Sequence, residues 1–190
     1  MSNFSRLVWT IFGAVSIAFH LGLIFYGLVP NLISRPIHMM LAVPWVLIFA
    51  STTRGQRISG NVLTILAWSG CAYVVINETA LGDQYGHLDG ELQYLVAISL
   101  LLIVLEMARR SISWPLPFVA LIALLYGLFG HLLPGEFGHP GMPLGSFFGT
   151  LTITEGGLWG KLTGVSVGIV AVFVIFGAVL NAGEAGQGFM

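Results

Sequence analysis

Charge is what this sequence has least of. Asp, Glu, Lys and Arg make up 8% of its 190 residues, against roughly 25% in soluble domains. A chain so poor in charge cannot cover its own surface in water, which excludes a soluble globular domain. Cysteine is nearly absent too. Cys71 stands alone in an apolar run, so an internal disulfide is excluded, and no Cys or His lies at zinc-ligand spacing from it. It reads as a small apolar residue. An excess of base is also missing: the net charge is -1, without the basic patch of a nucleic-acid binder. There is no glycine-rich phosphate loop ending in Lys and Ser or Thr. The five histidines are scattered, and no Ser, His and Asp stand at suggestive spacing. These absences argue against an enzyme, and nothing implies a resident cofactor or metal. No internal repeat of 20–50 residues is visible.

What the chain has is apolar length. Hydrophobic residues make up 56% of it, gathered into six runs: Leu7–Val29, Pro36–Thr53, Gly60–Asn77, Leu92–Ala108, Pro115–Leu133 and Gly164–Asn181. Each approaches the ~20 helical residues needed to cross a hydrocarbon core about 30 Å thick. Lipid leaves no partner for an open strand's backbone, and the ~10-residue dyad pattern of barrel strands is missing. The expected fold is therefore all-α: a polytopic helical membrane protein with about six transmembrane helices. Pro36 and Pro115 are expected in first turns, where a missing N–H is harmless. The first run exceeds the roughly 7–15 residues of a signal-peptide core, and no small-residue cleavage site follows. It is read as a retained membrane helix.

The short loops carry an orientation signal. With the N-terminus in the cytoplasm, Arg6, Arg54, Arg57, Arg109 and Arg110 lie inside, and only Arg35 and Lys161 lie outside. The stretch Glu78–Glu91 has four acids (Glu78, Asp83, Asp89, Glu91) and no Lys or Arg, which suits the outer side. Pro134–Leu144 reads as a loop. Ser146–Thr163 mixes apolar residues with Thr, Gly, Glu155 and Lys161, too polar to span. An interfacial segment at the outer surface is expected, with a lining of a protein-buried cavity as the alternative.

Few residues suggest chemistry. His20 lies near the middle of the first run, where an ionisable group is a functional hypothesis by default. The plainer reading is a neutral imidazole bonded to a neighbouring helix, with Ser16 one turn earlier, and it is preferred. His38 is expected near the outer end of the second helix, reaching the headgroups. Glu106, Arg109 and Arg110 share one helix face and read as an anchor at the cytoplasmic interface. Trp9 and Trp114 fall beside helix ends, as aromatic belts do, whereas Trp45 and Trp68 fall deeper and read as packing. Gly156, Gly160, Gly164 and Gly168 recur every four residues, and a close-packing seam is expected from Gly160 through Gly164 and Gly168.

The stretch Pro115–Gly141 (PLPFVALIALLYGLFGHLLPGEFGHPG), with LTITEGGLWG from Leu151 and GVSVGIVAVFVIFGAVLNAGEAGQGF from Gly164, resembles the start of the large membrane domain in fused permeases of tripartite ATP-independent periplasmic (TRAP) transporters. Thr154, Glu155, Gly156, Gly160, Gly164, Val165, Ser166, Phe176, Gly177, Ala178, Gly186 and Gly188 match that family's pattern, whereas Ile153, Gly157 and Trp159 depart from it. The first half resembles the four-helix small domain of the same proteins, most recognisably at RPIHMMLAVPW, Arg35 to Trp45. The resemblance points to the fused class that works with a TAXI-type receptor.

That resemblance implies secondary transport across a bacterial cytoplasmic (inner) membrane. A periplasmic receptor would deliver an organic acid, and an ion gradient, typically sodium, would drive its import without ATP. Residues 1–110 would be the small-subunit-like domain, and residues 111–190 the start of the large transport domain. The family's permeases continue well beyond this point, so the chain is expected to be a truncated portion. Its substrate-binding residues would lie past the chain end, among the remainder of the large permease domain. Glu78, Asp83, Asp89, Glu91, Glu136 and Glu155 are the candidates for docking the receptor. The alternative is a non-transporting membrane scaffold or assembly subunit.

Overall fold

A computed structural model describes residues 3–183. In chain order the helices are α1 (Asn3–Tyr26), α2 (Asn31–Phe49), α3 (Arg54–Ile76), α4 (Glu78–Gly82), α5 (Glu91–Ile112), α6 (Pro115–Leu132), α7 (Leu144–Thr152) and α8 (Lys161–Ala182). Six of them, all but α4 and α7, are long and apolar enough to cross a membrane. No strand occurs among the described residues. The protein is all-α and polytopic. The connections gather at two ends: an arginine end with Arg54, Arg57, Arg109 and Arg110, and a loop end with the longer segments 77–90 and 133–160.

The centre of the fold is the trio α2, α3 and α5. Val43, Leu47, Ala67, Cys71, Val74, Leu100 and Ile103 pack there with almost no exposure. α1, α6 and α8 lie outside it and keep broad apolar faces uncovered, among them Leu7, Ile11, Leu21, Phe118, Ile122, Phe173 and Phe176. In water such faces would be untenable, but against acyl chains they are what a spanning helix requires.

Local chemistry explains where the helices start. α2 begins at Asn31, directly after Pro30 in an extended conformation, so Pro36 is not a first-turn proline as expected but lies inside the helix. α3 begins at Arg54, six residues before the apolar run. Thr53 caps it, its side-chain oxygen accepting from the Gln56 N–H at 3.2 Å. That bond satisfies one of the four open donors of the first turn.

Pro44 has a sharper consequence. It has no N–H to return to the carbonyl four residues earlier, which is Met40. The Trp68 indole of α3 donates to that carbonyl at 2.8 Å. The helix then runs through a π turn at Trp45–Phe49, which fits Trp45 against Trp9, Phe12 and Phe49 at ring separations of 4.9 to 5.8 Å.

At the arginine end, Glu106 takes two bonds from Arg109 (2.6 and 2.7 Å) and one from Arg110 (2.7 Å). Arg110 also donates to the Leu47 and Gln56 carbonyls and to Ser59 Oγ. It therefore ties α5 to the end of α2 and the start of α3. Gly60 of α3 lies directly on the Leu47 carbonyl, and a Cβ there would overlap that oxygen.

At the loop end, α7 lies against α5 and against the segment 83–90. Gly149 faces the Gly86 carbonyl with no room for a side chain, and Gly86 has φ +84°, a left-handed conformation that favours glycine. The Leu88 N–H reaches the Gly145 carbonyl at 3.2 Å. Trp159 is fully buried and donates to the Thr152 carbonyl at 2.7 Å. The stretch Ser146–Thr163 is thus folded onto the protein through α7 and Trp159, and its last three residues open α8. Its turn closes through its own backbone, with the Leu158 N–H on the Leu151 carbonyl at 2.8 Å.

Candidate functional site

A chain of polar side chains joins α1, α2 and α8 where they meet. His20, on the one buried position of α1, has Nδ1 2.6 Å from the Ser16 carbonyl and Nε2 2.8 Å from His38 Nδ1. His38 Nε2 lies 3.2 Å from Ser166 Oγ. Acceptor chemistry fixes the direction of this chain. A carbonyl only accepts, so His20 Nδ1 carries hydrogen and, in the neutral ring, its Nε2 accepts. His38 Nδ1 must then donate, its Nε2 must accept, and the Ser166 hydroxyl donates to it. With both rings neutral, the order Ser166 to His38 to His20 to Ser16 gives every ring nitrogen a partner. The bond from His20 to a neighbouring helix, expected in the preferred reading, is present.

His38, expected to reach outward from the helix end, instead bonds between helices. Because α2 starts at Asn31, residue 38 lies two turns inside the helix and faces His20 and Ser166. Ser166 is presented by a second π turn, Ser166–Val170, a type of irregularity frequent at functional sites.

Next to this chain, towards the loop end, lies a cavity of about 460 Å³ lined by α1, α2 and α8. Its polar groups include Arg35 and Lys161. Neither has a carboxylate partner among the described residues, where Glu106 is the one acid in an ion pair. Arg35 donates to the Trp159 carbonyl and lies flat against Gly164, where a Cβ would come within 2.9 Å of Nη2.

The small-residue series resolves into separate roles. Gly164 makes room for Arg35. Gly160 sits within its own turn, and Gly168 faces open space. Among the described residues the three do not form one helix-to-helix seam.

The acidic candidates lie at the loop end. Glu78, at the start of α4, and Glu155, after α7, line one groove of about 700 Å³ with Tyr85, Leu28 and Leu81. Asp83, Asp89 and Glu91 are exposed in and after the segment that follows α4. Glu136, in the turn Gly135–Phe137, is exposed but does not line the groove. Gly186 and Gly188 lie outside the described residues.

Sequence reading passed over Arg35 and Ser166 as site residues. Arg35 and His38 are three residues apart and share a helix face, a signal that was present. Ser166 stood in the resemblance pattern, but at 128 residues from His38 nothing in the sequence paired the two. No family model, curated protein or solved structure matches the chain.

Proposed function

We propose that this chain is a membrane component of a TRAP-type secondary transporter. In this reading it sits in a bacterial inner membrane with its N-terminus in the cytoplasm. It takes part in importing an organic acid delivered by a TAXI-type periplasmic receptor, with a sodium gradient as the driving force. The observation that carries the reading is the groove at the loop end. Glu78 comes from the first half of the chain and Glu155 from the second, yet they line one recess. A docking site shared between a small domain and the opening of a transport domain would need that meeting. Charge of one sign around a recess also steers a partner of opposite charge and raises its rate of encounter.

The test is uptake of a labelled organic acid into sealed vesicles holding the chain, with and without receptor and a sodium gradient. Uptake that needs both is the result expected of a transporter. Receptor capture without uptake would instead favour the scaffold reading. Receptor binding that survives reversal of Glu78 and Glu155 to Lys would remove the groove from the account.

A further inference from the structure

Arg35 and Lys161 pose a problem that the fold itself leaves open. Arg35 is half-buried at the junction of three helices, with one N–H given to the Trp159 carbonyl. Its remaining donors have no acceptor among the described residues. Lys161 lines the same cavity and has no carboxylate partner among the described residues. Arg35 is partly drawn away from water without a counter-charge, which costs free energy unless something else completes it, whereas Lys161 stays exposed beside it. Asn31 and Ser34 add two uncharged polar side chains, and the rest of the wall is apolar, supplied by Leu23, Val29, Val165 and Ile169. The first turn of α8 forms one side at Lys161 and Gly164, and no side chain caps that terminus. Its partial positive charge adds to that of the two side chains.

We infer that the cavity between α1, α2 and α8 is a binding site for an oxyanion carried on an apolar body, with Arg35 and Lys161 as its ligands. The planar guanidinium suits a carboxylate or phosphate held by two parallel bonds. The absence of a side chain at Gly164 lets it lie flat against α8, and the Trp159 carbonyl fixes its orientation. Lys161 adds a second, movable charge at the mouth. The apolar walls take the rest of the ligand. Two sources share this chemistry: the headgroup of an anionic phospholipid beside the protein, and a dissolved organic acid. The inference does not depend on the transport reading, because it concerns binding alone.

The chain reconstituted in phosphatidylcholine nanodiscs supplies the test. Spin-labelled phosphatidylglycerol, stearate and phosphatidylcholine are compared by the fraction that the protein immobilises. The expected result is a preference of about fivefold or more for the two anionic probes, the size one nearby cation gives an anionic headgroup. Lys161→Gln should reduce it, and Arg35→Gln with Lys161→Gln should abolish it. Arg35→Lys keeps the charge without the fork and should retain only part. Lys161 is exposed, so its single variant is expected to fold and keeps the test decisive where Arg35→Gln does not. Adding phenylacetate then separates the two sources. Displacement of the probes assigns the site to a dissolved acid, and undiminished phosphatidylglycerol preference assigns it to lipid. No preference over phosphatidylcholine, or one that both single variants leave intact, overturns the inference.

Discussion

His20 and His38 bond to each other inside the bilayer region, so each depends on the other for a partner. Replacing His38 by Ala leaves His20 Nε2 and the Ser166 hydroxyl both unmatched, and the buried group that loses its partner bears most of the cost. The two single substitutions should therefore not add. In a double-mutant cycle on His20→Ala and His38→Ala, followed by reversible unfolding in detergent, a coupling of about 1 kcal/mol is expected, within the range for such bonds in membranes. Strict additivity would mean that the rings do not share a bond. A different histidine carries a pH dependence. Outside the spans, His139 Nδ1 lies 2.8 Å from the Pro140 carbonyl and Nε2 lies 3.0 Å from the Tyr126 carbonyl. Both neighbours only accept, so only the charged ring donates from both nitrogens, and the bond to Pro140, then that to Tyr126, raises the pKa above its ordinary 6.5. A raised pKa stabilises the fold fully below 6.5, and that contribution fades as pH climbs through the folded value. Proteolysis within 133–143 should accordingly quicken from pH 6 to pH 8. His139→Gln should be cut at the same rate across that range.

The helices themselves illustrate how much the sequence announces. Six apolar runs became six spans, because twenty residues without charge have few other solutions in lipid. Their ends were harder. α2 starts five residues before Pro36, since Pro30 already supplies the break, and that shift puts His38 two turns inside the helix rather than near its end. α3 starts at a Thr53 cap followed three residues later by Gln56, a helix-start pattern that hydropathy does not see. Which polar groups meet was not legible, since His20, His38 and Ser166 belong to three helices and periodicity on one helix says nothing about the next. Glycine spacing shows the same limit. Gly60 belongs to no obvious series, yet α3 meets the Leu47 carbonyl there, whereas Gly168 belongs to a regular series and meets nothing. Gly60→Ala should thus cost about 3 kcal/mol, the upper end for overpacking against an atom that cannot move aside. Gly168→Ala should be neutral or stabilise by up to about 1 kcal/mol through helix propensity. Thermal unfolding of the two variants in one detergent compares them directly. A large loss at Gly168 with none at Gly60 would restore the seam expected from spacing.

For the molecule as a whole, everything proposed about a receptor depends on which way the chain is threaded. The arginine end and the loop end are opposite faces of one bundle. The excess of arginine at the first predicts that it stays in the cytoplasm, which turns the groove of Glu78 and Glu155 outward. Cys71 is fully buried, so a membrane-impermeant maleimide should not reach it, and single introduced cysteines report cleanly. Thr52 lies exposed at the arginine end and Asp83 at the loop end, and replacing them leaves every arginine of the orientation signal in place. In intact spheroplasts Asp83→Cys should be labelled at once, and Thr52→Cys only after the membrane is permeabilised. The opposite pattern would turn the acidic groove towards the cytoplasm. No periplasmic receptor could then reach it, so the docking argument would fall while the fold and the oxyanion cavity remained as described.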